Sequence, residues 1–514
     1  MFLVGLLSIA VAAILGAAER PKNTAVQVAD GVVMPRRPVA EAITEAMQFL
    51  KKADNGYVPG AIDGNLAGYF ASAFVNEDGT RSDRALAYPA RQHAYFIRTF
   101  LRYYAYTGER EWLLRAGDLA DWNLAHSTPT AAVYADLPYS SFQNGQPGGL
   151  QDKNGIEPDK AAFLGTGYLA VYEATAETKY LDAARKVADT LVRRQREDGG
   201  WPFRAVPEDG KILQEFGGAP VFFVEFMEGM VRHEDKPAYR RAHDRALNYM
   251  LGTNVAKNLW GTYHEDIGAK DAGYVSAEPM SFTADYLFRH GKMHPEYVEM
   301  GRNVIRRMEE KLVSTEGHPA APAPTVAEQA SYNHIMPGHT ARYCLALADL
   351  YTLTRDEQVK HRAMSGINAV TYMQAESGLF RTYFYDVKRK SDTGGGRPDW
   401  YSQHLYAVCH LLEAMSRFPE LVPEGQDHLL DSSTWARDIH YSPGRVRFRT
   451  LAPSQTLLRL SFVPKAICVE THHLREVMEI PAKDDSGGWS FDPATRLLRI
   501  RHDAGQVDVL KSDP

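Results

Sequence analysis

The sequence predicts a mainly α-helical chain, an (α/α)6 toroid of alternating outer and inner helices followed by a small antiparallel β-sandwich-like domain. Three observations predict it. Helices of two kinds alternate along residues 39–423. Their connections alternate between long and short. After Pro423 the hydrophobic period drops from that of a helix to that of a strand. With 514 residues, 44% of them hydrophobic, the chain can bury one large core and a smaller one.

The first kind of helix has one wet side. In 179–195, Tyr180, Leu181, Ala184, Val187, Ala188, Leu191 and Val192 recur at helical spacing, while Lys186, Asp189, Arg193 and Arg194 fill the other face. The second kind is apolar nearly all round, as in Pro220-Val221-Phe222-Phe223-Val224, and belongs between layers. Outer helices are expected near 40–52, 110–126, 179–195, 237–251, 296–313 and 356–374. Inner helices are expected near 88–106, 159–175, 218–231, 278–290, 331–353 and 400–416. The repeats vary too much in length for a solenoid of fixed period.

The connections 53–87, 127–158, 201–217, 252–277, 314–330 and 375–399 each lead from an outer helix to the next inner one. Long loops in a compact domain usually serve function. All should emerge at one rim, where the inner helices begin, and the active site is expected there. Inner-to-outer turns such as 106–110 are short. Beyond Pro423, Arg445 to Arg449, Thr456 to Phe462, Ile467 to Val469 and Leu497 to Ile500 read as strands. Turn signals such as Ser442-Pro443-Gly444 separate them. Residues 430–514 are therefore expected to form a β-domain, a cap on the toroid in preference to a carbohydrate-binding module.

Phe2 to Leu15 is almost wholly apolar and Gly16-Ala17-Ala18 follows it, which predicts a signal peptide over 1–18 and a secreted or periplasmic protein. An uncleaved anchor is the alternative, since no Lys or Arg precedes the apolar run. Beyond it no stretch reads as transmembrane. A net charge of −6 gives no basic stripe for nucleic acid. Cys344, Cys409 and Cys468 are too few and too scattered for a disulfide framework, and no metal-ligand spacing or cofactor motif appears.

Three clusters sit at or just before inner helices: Tyr88, Arg91, Gln92, His93, Tyr95; Tyr332, Asn333, His334, His339, Arg342, Tyr343; and Asp399, Trp400, Tyr401, Gln403, His404. A sugar site needs aromatic faces for the ring and polar forks for the hydroxyls, which these residues supply. The alternative is that each is a satisfied core residue. The acidic candidates of the rim are Glu157, Asp159, Glu215, Glu265, Asp266, Glu278 and Asp399. Hydrolysis of a glycosidic bond usually needs two carboxylates flanking it. Asp159, opening an inner helix, is the best single one, or else a first-turn acid that stabilises the helix start.

Gln195-Arg196-Glu197-Asp198-Gly199-Gly200-Trp201-Pro202 ends an outer helix, with Trp201 at the rim. Together with Leu191-Val192-Arg193 it resembles the helix-end motif in the C-terminal toroid of D-glucuronyl C5-epimerases, and related turns occur in toroidal pectate lyases. Ser377-Gly378 with Tyr385-Asp386, and Asp399-Trp400-Tyr401 with His404, resemble later pieces of those epimerases in the same order. The resemblance implies a uronate substrate and Tyr385 and Tyr401 as proton-transfer residues. Asp159 is similar in position to the catalytic Asp of unsaturated uronyl hydrolases.

The leading expectation is a lyase cleaving a uronic-acid-containing polysaccharide by β-elimination. Tyr401, His404, His334, Tyr332 and Asp159 would be catalytic, and Arg91, His93, Trp201, Asn333, His339, Arg342, Tyr385 and Glu278 would bind substrate. A glycoside hydrolase using rim acids, a C5-epimerase and a non-catalytic glycan-binding protein remain open. The partner expected in each case is an anionic polysaccharide or oligosaccharide. None of these chemistries needs a cofactor.

Overall fold

A computed structural model describes residues 26–54, 56–61, 66–82, 85–149, 154–215, 218–261, 274–386, 388, 391–392, 398–478 and 487–512. The expected signal peptide over 1–18, Glu265 and Asp266 lie outside the described residues. No helix among the described residues is long and apolar enough to cross a membrane.

Twelve helices of 13 to 19 residues alternate in position. The outer ones are α1 (Val39–Ala53), α3 (Arg110–Ala125), α5 (Thr178–Arg194), α7 (Pro237–Tyr249), α9 (Glu296–Lys311) and α11 (Glu357–Val370). The inner ones are α2 (Pro89–Thr107), α4 (Pro158–Thr175), α6 (Pro220–His233), α8 (Ala277–His290), α10 (Pro337–Thr354) and α12 (Tyr401–Arg417). Each inner helix packs on the next, and α12 returns to α2, which closes the ring. Four inner helices, α2, α4, α6 and α10, begin with Pro, whose fixed φ suits a helix start and whose missing N–H is not needed there. Burial follows the pattern of the sequence. Every residue of α12 from Tyr401 to Met415 is buried, whereas α5 buries one stripe.

One joint ties outer helices together and occurs twice. At the end of α5, the Gln195 side-chain amide donates to the carbonyls of Gly199 and of Ala242 in α7, both at 2.9 Å. Beyond α11, the Gln374 amide donates to Gly378 and to Ala42 of α1, both at 2.8 Å. Gly199 and Gly378 have φ of +92° and +93°, and a Cβ on either would meet a carbonyl oxygen of the neighbouring helix at 2.3 and 2.5 Å. Only glycine fits there. The second joint closes the ring between its last and first outer helices.

One inner helix differs from expectation. The helix anticipated over 331–353 begins at Pro337, and the residues before it form a strand. The physical reason is the proline, which sets the helix start, together with the pairing of Tyr332–Ile335 to a strand inside the expected 314–330 loop. The sheet has strands β1 (Val313–Ser314), β2 (Thr325–Gln329), β3 (Tyr332–Ile335), β4 (Tyr385–Asp386) and β5 (Ser391–Asp392), adjacent in that order and antiparallel. It stands beside the N-terminal end of α10.

The C-terminal strands are β6 (His428–Ser432), β7 (Arg437–Ser442), β8 (Arg445–Thr450), β9 (Ser454–Arg459), β10 (Ala466–Val469), β11 (His472–His473), β12 (Gly488–Asp492), β13 (Leu497–His502) and β14 (Gly505–Leu510). They make two antiparallel sheets, ordered β6-β9-β13-β12 and β7-β8-β14-β10-β11. These sheets pack on the C-terminal ends of the inner helices. His428 stacks on Tyr106 with ring centroids 3.8 Å apart, Tyr441 donates to the Ala105 carbonyl, and the Trp435 N–H donates to Glu173 at 2.8 Å. The toroid and the β-domain share one continuous hydrophobic core.

The barrel interior is layered. Within the first two turns of their helices Tyr95, Phe163, Phe222, Phe282 and Tyr406 pack into an aromatic plug. Tyr95 lies 3.7 Å from Tyr406, Phe163 4.4 Å from Phe222 and Phe222 5.0 Å from Phe282, between centroids. The plug separates a mouth at the helix N-termini from a base under the β-domain.

Candidate functional site

Four inner helices bring a polar cluster to the mouth. On α2, Arg91 and Tyr95 lie one turn apart and both reach Glu278 of α8. Arg91 pairs with Glu278 Oε2, and the Tyr95 hydroxyl donates to Oε1 at 2.8 Å. Arg91 and Glu278 are each about 1% exposed at the side chain. The guanidinium lies 5.3 Å from the ring centre of Tyr406 on α12. Burial, reinforced by Glu278, pushes the Tyr95 hydroxyl well above its ordinary pKa, so it stays a neutral donor.

His339 of α10 completes the cluster. Its Nε2 is 3.2 Å from Gln403 Nε2 on α12 and 3.7 Å from Glu328 Oε1 on β2. Close approach of α10 and α12 makes this contact, since a Cβ on Gly338 would lie 2.7 Å from Tyr406 and 2.8 Å from Gln403. Next to it, β3 and β4 set His334 opposite Asp386, with His334 Nδ1 3.7 Å from Asp386 Oδ2 and Tyr383 against the imidazole at 4.7 Å. The His334 side chain is 25% exposed. Tyr332 is exposed, and Asn333 and Tyr385 are half-buried on the same sheet. Trp400 stacks on Tyr88, ring centroids 6.1 Å apart, at the starts of α12 and α2. The mouth thus carries two histidines, each near a carboxylate, beside aromatic faces.

Several residues expected at the site lie elsewhere. His404 spans α12 and α1: Nδ1 accepts from the Phe380 N–H and Nε2 contacts the Ala46 carbonyl, each at 3.0 Å. Burial lowers its pKa to about 4. Tyr401 is fully buried against Gly68 and Tyr69. Both leave the mouth because they occupy the side of α12 opposite Gln403 and Tyr406. His93 packs between α2 and α3 on Asn123 and Trp122, and burial lowers its pKa to about 3. Trp201 donates to the Leu191 carbonyl at 2.9 Å and stacks on Phe223 at 3.6 Å, so its ring is consumed by the α5 joint. Arg342 lies beneath the mouth, 3.7 Å over Phe282 and 3.0 Å from Asp285.

The rim acids are also engaged. Asp159 accepts from Lys160 N, Lys160 Nζ and the Ala219 N–H at the start of α6, at 2.8, 3.0 and 2.8 Å. Burial pushes its carboxyl up against the pull of Lys160. A Cβ on Gly218 would sit 2.0 Å from its Oδ2, so glycine there lets Asp159 fix α6 to α4. Glu157 accepts from Arg204 and lies 3.1 Å from Lys160. Glu215 pairs with Arg196 at the surface, and Asp399 accepts from the Thr382 N–H at 2.6 Å.

Glu328, Asp386, Tyr95 and Tyr406 complete the site. Tyr95 belongs to the first of the three sequence clusters, four residues after Arg91, and Tyr406, three residues after Gln403, could have been read from the same spacing. Glu328, and the pairing of Asp386 with His334, needed the β-sheet, whose β2 and β4 fall in stretches expected as loop and whose β3 falls in one expected as helix. One group among the described residues is compact enough for a cation: Cys409, His410 and Glu413. Arg98 and Arg102 already hold Glu413, at 2.7 and 2.8 Å, so the trio offers a cation little charge.

No protein-family model matches the sequence, and no curated protein matches it. Solved structures match its fold. A D-mannose isomerase aligns with a TM-score of 0.55 at 14% identity, covering 73% of this chain and 96% of that one. A cellobiose 2-epimerase from Spirochaeta thermophila aligns with a TM-score of 0.54 at 13% identity, covering 75% and 98%. An unsaturated glucuronyl hydrolase specific for heparin aligns with a TM-score of 0.50 at 14% identity, covering 74% and 97%. At such identities the likeness establishes the α/α toroid and nothing finer.

Proposed function

We propose that the chain is a carbohydrate-active enzyme that moves a proton at the sugar carbon beside a carbonyl or carboxylate. The observation that carries this reading is the pair of histidine–carboxylate neighbours at the mouth, His339 with Glu328 and His334 with Asp386. A positioned imidazole backed by an acid suits general base and acid work near neutral pH. In the first step one histidine takes the proton. The electron pair it leaves moves onto the neighbouring carbonyl or carboxylate oxygen, where buried donors such as Arg91 stabilise the growing charge. Return of a proton gives epimerisation or isomerisation. Loss of the 4-O substituent of a uronate gives β-elimination.

Toroids that include a mannose isomerase and a cellobiose 2-epimerase support a sugar substrate. The uronate and the lyase outcome rest on the motifs that resemble those of D-glucuronyl C5-epimerases and toroidal pectate lyases. Hydrolysis is the second reading; Asp159, Glu157, Glu215, Glu278 and Asp399 each hold a donor or an ion pair, and the carboxylates beside the mouth histidines are Glu328 and Asp386. Export, proposed from the apolar residues 2–15, is checked by the N-terminal sequence of protein recovered outside the cell.

The test is incubation in D2O with free aldoses, cellobiose and polyuronates. Deuterium is read by NMR and elimination by ultraviolet absorbance of the unsaturated product. Deuterium entering the sugar or a rise in absorbance is expected, and His339→Gln should lower the rate at least about a hundredfold. New reducing ends without deuterium or unsaturation would mean hydrolysis and overturn the reading. Binding without turnover on any sugar would make the chain a glycan-binding protein.

A further inference from the structure

We propose that the base of the barrel is a second binding site, for a sugar-sized molecule carrying an oxyanion. A cavity of about 420 Å³ lies between the C-terminal ends of the inner helices and strand β6 with the residues after it. That volume is within the range of small-molecule sites. The aromatic plug separates it from the mouth, so its occupant would be distinct from the molecule bound there.

The lining is dense in charge. Arginines and carboxylates alternate across it, and most neutralise one another. Arg289 pairs with Asp285 and Glu225, and Arg417 pairs with Asp349 and Asp431. Six arginines face six carboxylates, and only among the buried lining atoms do those left without a hydrogen bond have one sign. Arg102 Nε and Arg342 Nε and Nη2 are buried and make no hydrogen bond among the described residues. Arg342 is 2% exposed, and its Nη2 is at ion-pair distance from Asp285 without a directed bond. No carboxylate oxygen lining the cavity is in that condition among the described residues. Unspent capacity is therefore donor capacity, and a buried donor favours an acceptor-rich partner. Arginine forks suit carboxylate and phosphate oxygens.

Two features point to a sugar-sized body rather than a bare ion. The volume exceeds what a single oxyanion fills. Trp435 presents its ring to the cavity, with the Arg102 guanidinium 5.3 Å from the ring centre. Exposed Arg232 stands at the edge, and lining side chains such as Glu228 and Asp431 remain 30% and 39% accessible, so solvent reaches the site.

The experiment uses the full chain and calorimetric titration with D-glucuronate, glucose 6-phosphate, glucose and inorganic phosphate, alongside thermal unfolding. Glucuronate or glucose 6-phosphate should bind and raise the Tm by a few degrees, glucose should bind at least tenfold more weakly, and the pair of anions reveals which oxyanion is preferred. Arg342→Gln should weaken binding at least tenfold. If that variant does not fold, exposed Arg232→Gln is read instead, with a severalfold loss expected. His339→Gln should leave this binding unchanged. No anion binding at millimolar concentration, equal binding of glucose, binding of inorganic phosphate alone, or loss of binding in His339→Gln would overturn the assignment.

Discussion

At the scale of single residues, the mouth is held by a carboxylate that two donors share. Glu278 accepts from Tyr95 and pairs with Arg91, all three buried. Replacing Glu278 with Gln keeps the shape and removes the charge. A buried guanidinium then loses the carboxylate that offsets its desolvation, at a cost of about 3–5 kcal/mol. Unfolding in denaturant should show that drop in Glu278→Gln. The double variant Arg91→Met with Glu278→Leu should recover part of it, because the uncompensated charge goes as well, yet it should not recover turnover. Full turnover in the folded double variant would remove the pair from the proposed chemistry. His339 and His334 cannot be assessed by stability in the same way, since each lies near its acid at 3.7 Å rather than in a tight bond.

At the scale of elements, the joints at Gln195–Gly199 and Gln374–Gly378 explain why helix-end motifs recur without being chemical. Gly199→Ala would force a left-handed residue with a side chain and drive its Cβ to 2.3 Å from the Arg245 carbonyl. Strain of that kind costs about 1–3 kcal/mol before any helix shift. The Tm should fall by several degrees while kcat in the surviving folded protein stays near wild type. A large fall in kcat at unchanged Tm would mean that the motif serves the site. Helix alternation was legible because burial on one face or on all faces writes directly into hydrophobic period. Clusters near inner-helix starts were legible as clusters. Which member faces the barrel was not, because Tyr401, Gln403, His404 and Tyr406 sit within two turns and point in different directions according to the phase of α12. That phase is fixed by Gly338 and Gly68, small residues whose contacts are distant in sequence. The β2–β4 wall escaped notice because its strands are short and β4 pairs with β3 from about fifty residues away.

At the scale of the whole molecule, the ring must close between its first and last helices, and that seam is sensitive to acid. His404 on α12 contacts the Ala46 carbonyl of α1 and packs edge-on to Phe49, 5.3 Å between centroids. Burial lowers its pKa to about 4, and burial likewise lowers His93 to about 3 and His410 to about 4. A histidine whose folded pKa is depressed adds stability that is fully present above its unfolded value of about 6.5 and is lost as pH falls toward the folded value. In that window the unfolded chain takes up protons that the ring refuses. Each such histidine steepens the loss by up to about 1.4 kcal/mol per pH unit. His404→Gln keeps an amide donor for Ala46 but takes up no proton. It should be less stable than wild type at pH 8, where the native imidazole fits better. Its stability should then fall more gently between pH 6.5 and 4, so the two curves converge on acidification. Parallel curves across that range would show that His404 is not held neutral at the seam, and the acid-sensitive closure would have to be sought at His93 or His410.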